Sequence, residues 1–376
     1  MTVSRKLKLQ VKTMVSDQDK KYIERCFELA LRGRGKVSPN PLVGAVLVKN
    51  NSIISEGWHA EFGKDHAEAM AIKKAAGDLT GATLYCNLEP CIHTNKKTPP
   101  CYPLVVNSGI KRVVLSNLDP NPSVAGKSIQ QMRQKGIHVE NAVLEEKGLE
   151  LNRFFFKHIK SKKPWVTLKI AQSIDGKISK SSKEQTWLTG TKSKEYVHSL
   201  RSEYDAVVVG SNTVNVDNPL LNVREVKGRN PLKIIISGGL NLAADAEVLK
   251  RSIEEPVWVF CDEKLIDSAK NTYNNSVRFI GCPLEDGGKI DLNLILDFLY
   301  KENIGSVLLE GGQSLFSGFL RNNLCDELVV LQAAIVLGEG LMSVEMDAYR
   351  DFRLNYVKSL GNDLCFNLRK KETNQV

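Results

Sequence analysis

A histidine and a glutamate two residues apart, His66-Ala67-Glu68, are followed by two cysteines that each come after a proline, in Glu89-Pro90-Cys91 and Pro99-Pro100-Cys101. Imidazole nitrogen and thiolate sulfur are ligands that zinc prefers in a tetrahedron; a structural site fills every corner, whereas a catalytic site leaves one for water. His66, Cys91 and Cys101 would leave one open. Zinc lowers the pKa of such a water to ~7, so a nucleophile exists at neutral pH. Glu68, near the ion but not bound to it, can then carry protons between water and a leaving group. The chemistry implied is hydrolysis.

Each of these residues has a plainer reading. His66 alone could be a core histidine, and Cys91 and Cys101 apolar core thiols. Together, with Glu68 at its offset and prolines before both cysteines, they match the H-x-E…P-C…C signature of zinc deaminases. Cys86 falls in strand alternation and Cys26 on the apolar face of a helix, so both read as core. His93, two residues after Cys91, could be a fourth ligand, but that would close the site and idle Glu68, so it reads as a pocket residue.

The elements that must position these residues alternate between helix and strand. Ser16 is a plausible N-cap for a helix from Asp17 to about Arg32, ended by Gly33 and Gly35. A rigid Ser38-Pro39-Asn40-Pro41 turn leads to an apolar strand, Leu42 to Val48. Asn50-Asn51 signals a hairpin whose return strand ends at Gly57-Trp58-His59. A helix from His66 to Ala76 carries the first ligand. The strand Ala82 to Leu88 delivers Glu89-Pro90-Cys91 at its C-terminal end, where open α/β sheets place their sites. Cys101 begins the next helix, and the strand Lys111 to Asn117 leads into the proline-ordered loop Asp119-Pro120-Asn121-Pro122. A helix to Lys135 and a strand from Ile137 complete a layered α/β domain.

The charged, proline-ended stretch Lys160-Ser161-Lys162-Lys163-Pro164 reads as a linker. A second α/β domain follows, with strands beginning at Trp165, Ala206, Lys233, Val257, Val277, Ser306 and Glu327 and helices such as Ser193 to Ser202 and Leu292 to Glu302. The organisation expected is a basic tail at 1–16, a first domain at 17–160 and a second at 161–376. At 376 residues the chain suits such an arrangement. The tail lacks the apolar segment of a secretory signal, and no apolar run approaches the ~20 residues of a membrane span. Eight scattered cysteines suggest reduced thiols and a cytoplasmic protein. A net charge of +9 suits phosphorylated small molecules as well as nucleic acid. The basic residues are dispersed and no aromatic-interleaved basic stripe is present, so nucleic acid is not the expected partner.

Taken in order, His66-Ala67-Glu68, Leu88-Glu89-Pro90-Cys91-Ile92-His93, Thr98-Pro99-Pro100-Cys101 and Asp119-Pro120-Asn121-Pro122 closely resemble the deaminase half of the bifunctional riboflavin-biosynthesis enzymes. Nine residues separate the cysteines here, against two in the tandem cytosine and tRNA-adenosine deaminases. The second half resembles the reductase half of the same enzymes through Lys169-Ile170-Ala171-Gln172-Ser173-Ile174-Asp175-Gly176-Lys177, Trp187-Leu188-Thr189-Gly190, Gly210-Ser211-Asn212-Thr213, Asp217-Asn218-Pro219-Leu220-Leu221 and Glu310-Gly311-Gly312. The implied fold is α/β throughout: a three-layer, cytidine-deaminase-like zinc domain followed by a dihydrofolate-reductase-like domain. The implied activities are deamination of 2,5-diamino-6-(5-phosphoribosylamino)pyrimidin-4(3H)-one, then NADPH reduction of the ribosyl group to give 5-amino-6-(5-phosphoribitylamino)uracil. One zinc per chain, NADPH, a phosphorylated pyrimidine substrate and a homo-oligomer (dimer or tetramer) come with the resemblance.

By that resemblance His66, Cys91 and Cys101 hold zinc and Glu68 is the proton shuttle. Asn40, His59, His93, Lys97, Asp119 and Asn121 line the first pocket, although Asn40, Asp119 and Asn121 could equally be turn formers beside proline. In the second half Lys169, Gln185, Arg201, Leu221, Arg224 and Glu310 contact substrate, with Arg201 and Arg224 suited to phosphate as guanidinium forks. Ala171, Trp187, Thr213, Asp217, Gly312, Gln313 and Ser314 contact the cofactor. No G-x-G-x-x-G is present, so the cofactor phosphate is expected at the strand–helix junction after Gly311-Gly312. Departures from the reductase pattern are Asn218 for an aspartate, Ile236-Ser237-Gly238-Gly239 for a strand-ending Asp-Ser, and Gln185 for a serine. An active deaminase with a degenerate second half, and a nucleic-acid base deaminase, are the alternatives.

Overall fold

A computed structural model describes residues 15–93, 98–122, 124–345 and 350–371. Lys97 and most of the basic tail expected at 1–16 lie outside the described residues. The chain divides into two compact units between Asn152 and Arg153, so the boundary expected at 160/161 moves. The cause is a helix that sequence reading placed in the first domain: its Phe154 ring stands 4.9 Å from Tyr204 and 6.1 Å from Trp165, its Lys157 pairs with Asp326, and its His158 ring lies 4.7 Å from Tyr300.

In the first unit the strands are β1 (Gly44–Lys49), β2 (Ser52–Trp58), β3 (Thr83–Leu88), β4 (Arg112–Asn117) and β5 (His138–Glu140). The helices are α1 (Asp17–Ala30), α2 (Ala67–Lys74), α3 (Cys101–Asn107), α4 (Lys127–Gln134) and α5 (Glu145–Leu151). The sheet order is β2-β1-β3-β4-β5, with β1 antiparallel to both neighbours and β3, β4 and β5 parallel. Asn50 and Asn51 turn the β1–β2 hairpin at φ 53° and 59°, the left-handed pair that asparagine tolerates and a tight hairpin needs. Ser16 caps α1 by a reciprocal bond with Asp19. Val46, Val48, Tyr85 and Val114 pack against Tyr22, Ile23, Cys26 and Leu29 of α1. The alternate residues Ala45, Leu47, Leu84, Cys86, Val113 and Leu115 are buried as well. Period-2 alternation puts them on the opposite face, so the sheet is covered on both sides, as three layers require.

The second unit begins with α6 (Arg153–Ser161) and contains α7 (Thr191–Glu203), α8 (Ser211–Asp217), α9 (Glu247–Lys250), α10 (Ile266–Thr272), α11 (Leu292–Lys301) and α12 (Gln313–Arg321). Its strands are β6 (Trp165–Gln172), β7 (Lys177–Ser179), β8 (Ala206–Gly210), β9 (Leu232–Ile236), β10 (Val257–Asp262), β11 (Val277–Cys282), β12 (Ser306–Gly311), β13 (Glu327–Gln332), β14 (Leu341–Met342), β15 (Phe352–Leu360) and β16 (Asp363–Lys370). The main sheet runs β11-β10-β9-β8-β12-β6-β13-β16-β15, parallel up to β13 and antiparallel in its last two strands. Val307 and Leu309 of β12 meet α11 and α12 through Leu296, Leu299, Phe316 and Phe319. Leu308, between them, meets Val197 and Leu200 of α7 on the other face. The terminal hairpin β15–β16 was not read from the sequence. All eight cysteines are buried and unbridged, and no helix among the described residues is long and apolar enough to cross a membrane.

Candidate functional site

His66 is the N-cap of α2, with extended backbone (φ −72°, ψ 162°), and Cys101 is the first residue of α3, after Pro100. Two helix beginnings therefore meet Cys91, just beyond β3. Among the described residues, His66, Cys91 and Cys101 form the group that could hold a metal, their ligand atoms all within 4.8 Å of one another. Glu68 and His93 stand outside that group.

Neighbouring groups fix the ligands. Cys91 Sγ is 3.5 Å from His66 Nδ1 and accepts the Cys101 backbone N–H at 3.3 Å. The Cys91 carbonyl accepts the Tyr102 N–H at 3.1 Å. An amide pointing at sulfur favours the thiolate, the form that binds metal. On the far side of the ring, Thr98 Oγ1 lies 3.1 Å from His66 Nε2. This is the outer hydrogen bond that orients a metal-binding imidazole and sets its tautomer. Two thiols and an imidazole, oriented in this way, fit zinc.

Glu68, in the first turn of α2, is 3% exposed. The Cys86 thiol is buried in β3 and pushed up chiefly by burial and then by the Glu68 charge. Cys86 stays out of the metal group, as does Cys26 in the core of α1. Ring centroids of His59 and His66 are 5.1 Å apart. His59 Nδ1 lies 3.1 Å from the Asp65 carbonyl and its Nε2 3.2 Å from Asn40 Nδ2. A carbonyl only accepts, so Nδ1 carries the proton and Nε2 accepts from Asn40. Asn40 is held in place through its loop: Asn87 and Asn152 clamp Leu42 and Gly44 with bonds of 2.7–2.9 Å.

The loop after β4 hangs on a carboxylate that sequence reading noticed only as part of a motif. Glu89 is 2% exposed. Its Oε2 accepts N–H groups of Asp119 (3.3 Å) and Gly126 (2.8 Å), and its Oε1 accepts the N–H (3.2 Å) and Oγ–H (2.8 Å) of Ser128. Asp119 Oδ1 in turn accepts the Asn121 N–H at 2.8 Å. The loop carrying Asp119 and Asn121 is thus pinned two residues from Cys91. Asp119 does form the turn that its place beside proline suggests. Lys97 lies outside the described residues.

The second unit holds a cleft of about 770 Å³ at the C-terminal ends of β6, β8 and β12. Lys169, Gln185, Arg201, Arg224 and Glu310, expected at substrate, line it, as do Ala171, Trp187, Thr213, Asp217 and Gly312-Gln313-Ser314, expected at cofactor. Leu221 does not: its side chain is 2% exposed and packs with Val207, Val209, Val214 and Ile235, while its backbone turns at φ 53°.

Charge in this cleft is concentrated at Glu310. Arg201 grips it with Nε at 2.5 Å and Nη2 at 2.8 Å, and gives Nη1 to the Asn222 carbonyl at 3.0 Å; Lys169 Nζ is 3.6 Å from the same carboxylate. Burial would raise Glu310, but Arg201 and Lys169 outweigh it and hold the carboxyl at about 2. Burial raises Asp217, and Lys169 only partly offsets this. His198 accepts the Arg224 N–H at 3.1 Å; burial first, then Arg201 and Arg224, bring it down to about 4, so it is neutral at physiological pH.

Gly312 is the N-cap of α12, whose first-turn amides have no intrahelical acceptor. A side chain at Gly311 would put its Cβ 2.8 Å from Thr213 Oγ1, so the bare backbone lets the strand end, Thr213 and the helix start form one cradle. A dinucleotide phosphate fits it. Of the departures noted in the sequence, Asn218 has a local cause. It ends α8 in the left-handed region (φ 42°), and its Oδ1 accepts the Glu247 N–H at 2.8 Å.

Residues 16–117 match the family described as cytidine and deoxycytidylate deaminase zinc-binding region, and residues 164–366 match the RibD C-terminal domain. The riboflavin biosynthesis protein RibD of Aquifex aeolicus is 38% identical over 357 residues, covering 93% of this chain and 98% of its own. That of Escherichia coli is 33% identical over 371 residues, covering 93% and 99%. A crystal structure of a diaminohydroxyphosphoribosylaminopyrimidine deaminase/5-amino-6-(5-phosphoribosylamino)uracil reductase from Thermotoga maritima superposes with a TM-score of 0.84 at 37% identity, over 94% of this chain and 99% of that one. Because the likeness runs through both units and both sites, the chain belongs to the RibD family of bifunctional riboflavin-biosynthesis enzymes, each a zinc-dependent deaminase joined to an NADPH-dependent reductase.

Proposed function

We propose that the two units act in turn on one phosphorylated pyrimidine, each through the residues assigned below. The first hydrolyses the ring amino group of 2,5-diamino-6-(5-phosphoribosylamino)pyrimidin-4(3H)-one. The second reduces the ribosyl group of the deaminated product to the ribityl chain of 5-amino-6-(5-phosphoribitylamino)uracil. The observation that carries this reading is the convergence of an imidazole and two thiols within 4.8 Å, with the buried Glu68 in the first turn of the helix that His66 caps. His66, Cys91 and Cys101 would hold zinc, which when bound supplies a Lewis acid that makes water nucleophilic at neutral pH.

Glu68 takes the proton of the attacking water and delivers it to the departing ammonia; its buried position favours that exchange, because the carboxylate works in a low-dielectric pocket. Asn40, bonded to the His59 tautomer that the Asp65 carbonyl sets, and the loop pinned by Glu89 orient the pyrimidine. His93 completes that pocket.

In the second unit NADPH, when bound against Gly312, Gln313, Ser314 and Thr213, supplies the hydride. Ala171, Trp187 and Asp217 complete its contacts. Lys169 and Glu310 hold the sugar hydroxyls. Arg201 was expected at phosphate, but three of its five N–H groups serve Glu310 and Asn222, and its side chain is only 11% exposed. We assign it to positioning Glu310, and give the phosphate to Arg224, whose side chain is 46% exposed on the cleft wall. Gln185 lies on the exposed loop beside that wall, and Leu221 acts through its backbone turn.

A cytoplasmic, homo-oligomeric protein is part of the same proposal. It is supported by eight unbridged cysteines and by the exposed apolar residues Leu354, Val357 and Leu364 on the terminal hairpin; sedimentation of the pure protein tests the assembly. For the chemistry, metal content, ammonia release and NADPH oxidation are measured on one preparation. Ammonia without subsequent NADPH oxidation would leave only the first unit active, and absence of zinc under reducing purification would end the whole reading.

A further inference from the structure

The reductase cleft extends beyond the parts assigned above. From Glu310 it passes Gly311-Gly312, follows the face of α12 that carries Ser314, Gly318 and Arg321, and reaches Gly238 and residues 285–291. This far wall is a small hairpin: Leu284 and Ile290 pair antiparallel, the Glu285 N–H donates to the Lys289 carbonyl at 2.8 Å, and Gly287 and Gly288 turn it at φ 91° and 74°. The hairpin sits on Gly238, where a Cβ would lie 3.0 Å from the Gly288 carbonyl oxygen.

With the reacting end at Glu310 and the cofactor pyrophosphate at the start of α12, this arm of the cleft is open to the adenosine of the cofactor. NADPH carries there a 2′-phosphate dianion, where NADH has a hydroxyl, and a dianion calls for a cation. Of the cations lining the cleft, Lys169 and Arg201 are committed to Glu310, and Arg224 is assigned above to the substrate phosphate. Lys194 lies 4.4 Å over the Trp187 ring, and Arg321 donates to the Glu345 carbonyl at 2.7 Å. Lys289 makes no ion pair or side-chain hydrogen bond among the described residues. Two acids share its wall. Asp291 is spent as the N-cap of α11, its carboxylate accepting the Asn293 N–H at 2.8 Å; Glu285 is not.

We infer that the hairpin Leu284–Ile290 receives the adenosine end of the cofactor and that Lys289 reads its 2′-phosphate, giving the reductase its preference for NADPH over NADH, with Glu285 opposing that preference. The inference rests on the assignment of this cleft to the cofactor. A single charge-assisted contact at an exposed position corresponds to about a tenfold change in binding.

The test uses the full chain loaded with zinc. Reduction of the deaminated substrate is followed with NADPH and with NADH, and binding of 2′,5′-ADP and 5′-ADP is measured by titration calorimetry. Lys289→Ala should raise KM for NADPH about tenfold with kcat and the KM for NADH unchanged, and should weaken 2′,5′-ADP but not 5′-ADP. Lys289→Arg should restore the difference, and Glu285→Gln should widen it. An unchanged ratio between the two cofactors in Lys289→Ala, or an equal loss of both, overturns the role of Lys289. Failure of the unaltered chain to bind either nucleotide overturns the assignment of the cleft itself.

Discussion

The loop that carries Asp119 and Asn121 hangs on Glu89, and exchanging this carboxylate for an amide of the same shape isolates what the charge contributes. In Glu89→Gln one oxygen becomes an NH2 group, which accepts nothing. If Oε1 is lost, the N–H and Oγ–H of Ser128 lose their acceptor; if Oε2 is lost, the N–H groups of Asp119 and Gly126 do. Either way two bonds to the buried charge are lost, although the Ser128 hydroxyl can turn to accept from the new amide. A hydrogen bond to a charged partner contributes about 1.5–3 kcal/mol, so the low end for two such bonds gives a loss of about 3 kcal/mol. For a unit of this size that lowers Tm by about 10 °C. The assay is thermal unfolding of the zinc-loaded chain together with amide hydrogen exchange, which localises the change to Asp119, Gly126 and Ser128. KM for the pyrimidine should rise while the zinc content stays the same. Ser128→Ala removes only the hydroxyl donor and should cost about 1 kcal/mol. If Glu89→Gln unfolds within about 2 °C of the unaltered protein and those amides keep their protection, the loop is held by something other than Glu89.

Other consequences are as direct. Glu68→Gln should keep zinc and lower ammonia release by about 10²- to 10⁴-fold, read from metal content and ammonia on the same sample; loss of the metal would make Glu68 a ligand. Thr98→Val removes the partner of His66 Nε2 and should weaken zinc about 10- to 100-fold in chelator competition, with activity recovered at high zinc; unchanged affinity would take Thr98 out of the site. Glu310 has a folded pKa of about 2 against an ordinary 4.5. A depressed carboxyl contributes stability that is complete above the ordinary value and is lost as pH falls, so urea midpoints of the second unit should decline between pH 4.5 and 2. Glu310→Gln should flatten that part of the profile, and an equal decline in both proteins would count against the ion pair.

The grouping of His66, Cys91 and Cys101 could be read from the sequence because coordination chemistry limits residue type and local order: histidine, acid and two proline-led cysteines have few other joint uses. Strands β1, β3, β4, β6 and β12 were readable for a similar reason, since burial on both faces of a sheet writes a continuous apolar run. The terminal hairpin was not. On β16 the inward residues are Asp363, Cys365, Asn367 and Arg369, while Leu364 is exposed. Here the usual alternation is inverted, because Asn367 and Arg369 bond Glu327 of β13 in the interior. Pairings between distant residues were equally hidden. Nothing near Arg201 in the chain announces that Glu310 will hold its fork, and nothing near Thr98 announces its bond to His66. The misplaced boundary arose from composition: the lysines and proline at 160–164 look like a linker, yet Phe154 and Lys157 before them are fastened to the second unit.

Both sites stand where parallel strands end against helix beginnings, and each needs a buried carboxylate close by, but the two carboxylates are neutralised in different ways. Glu89 is met almost wholly by backbone amides of one loop, so its effect is to give that loop a fixed shape. A side chain exchanged elsewhere in the pocket leaves those bonds intact. Glu310 is met by Arg201 and Lys169, side chains from α7 and β6. Its geometry therefore depends on residues far apart in sequence, and losing one partner leaves a buried charge uncompensated, which costs about 3–5 kcal/mol. Substitutions around the first site that leave Glu89 in place should accordingly change activity with modest effects on folding, whereas those around Glu310 should change both together. The distinction follows from where the neutralising charge is stored, in peptide dipoles that every sequence supplies or in side chains that only this sequence places.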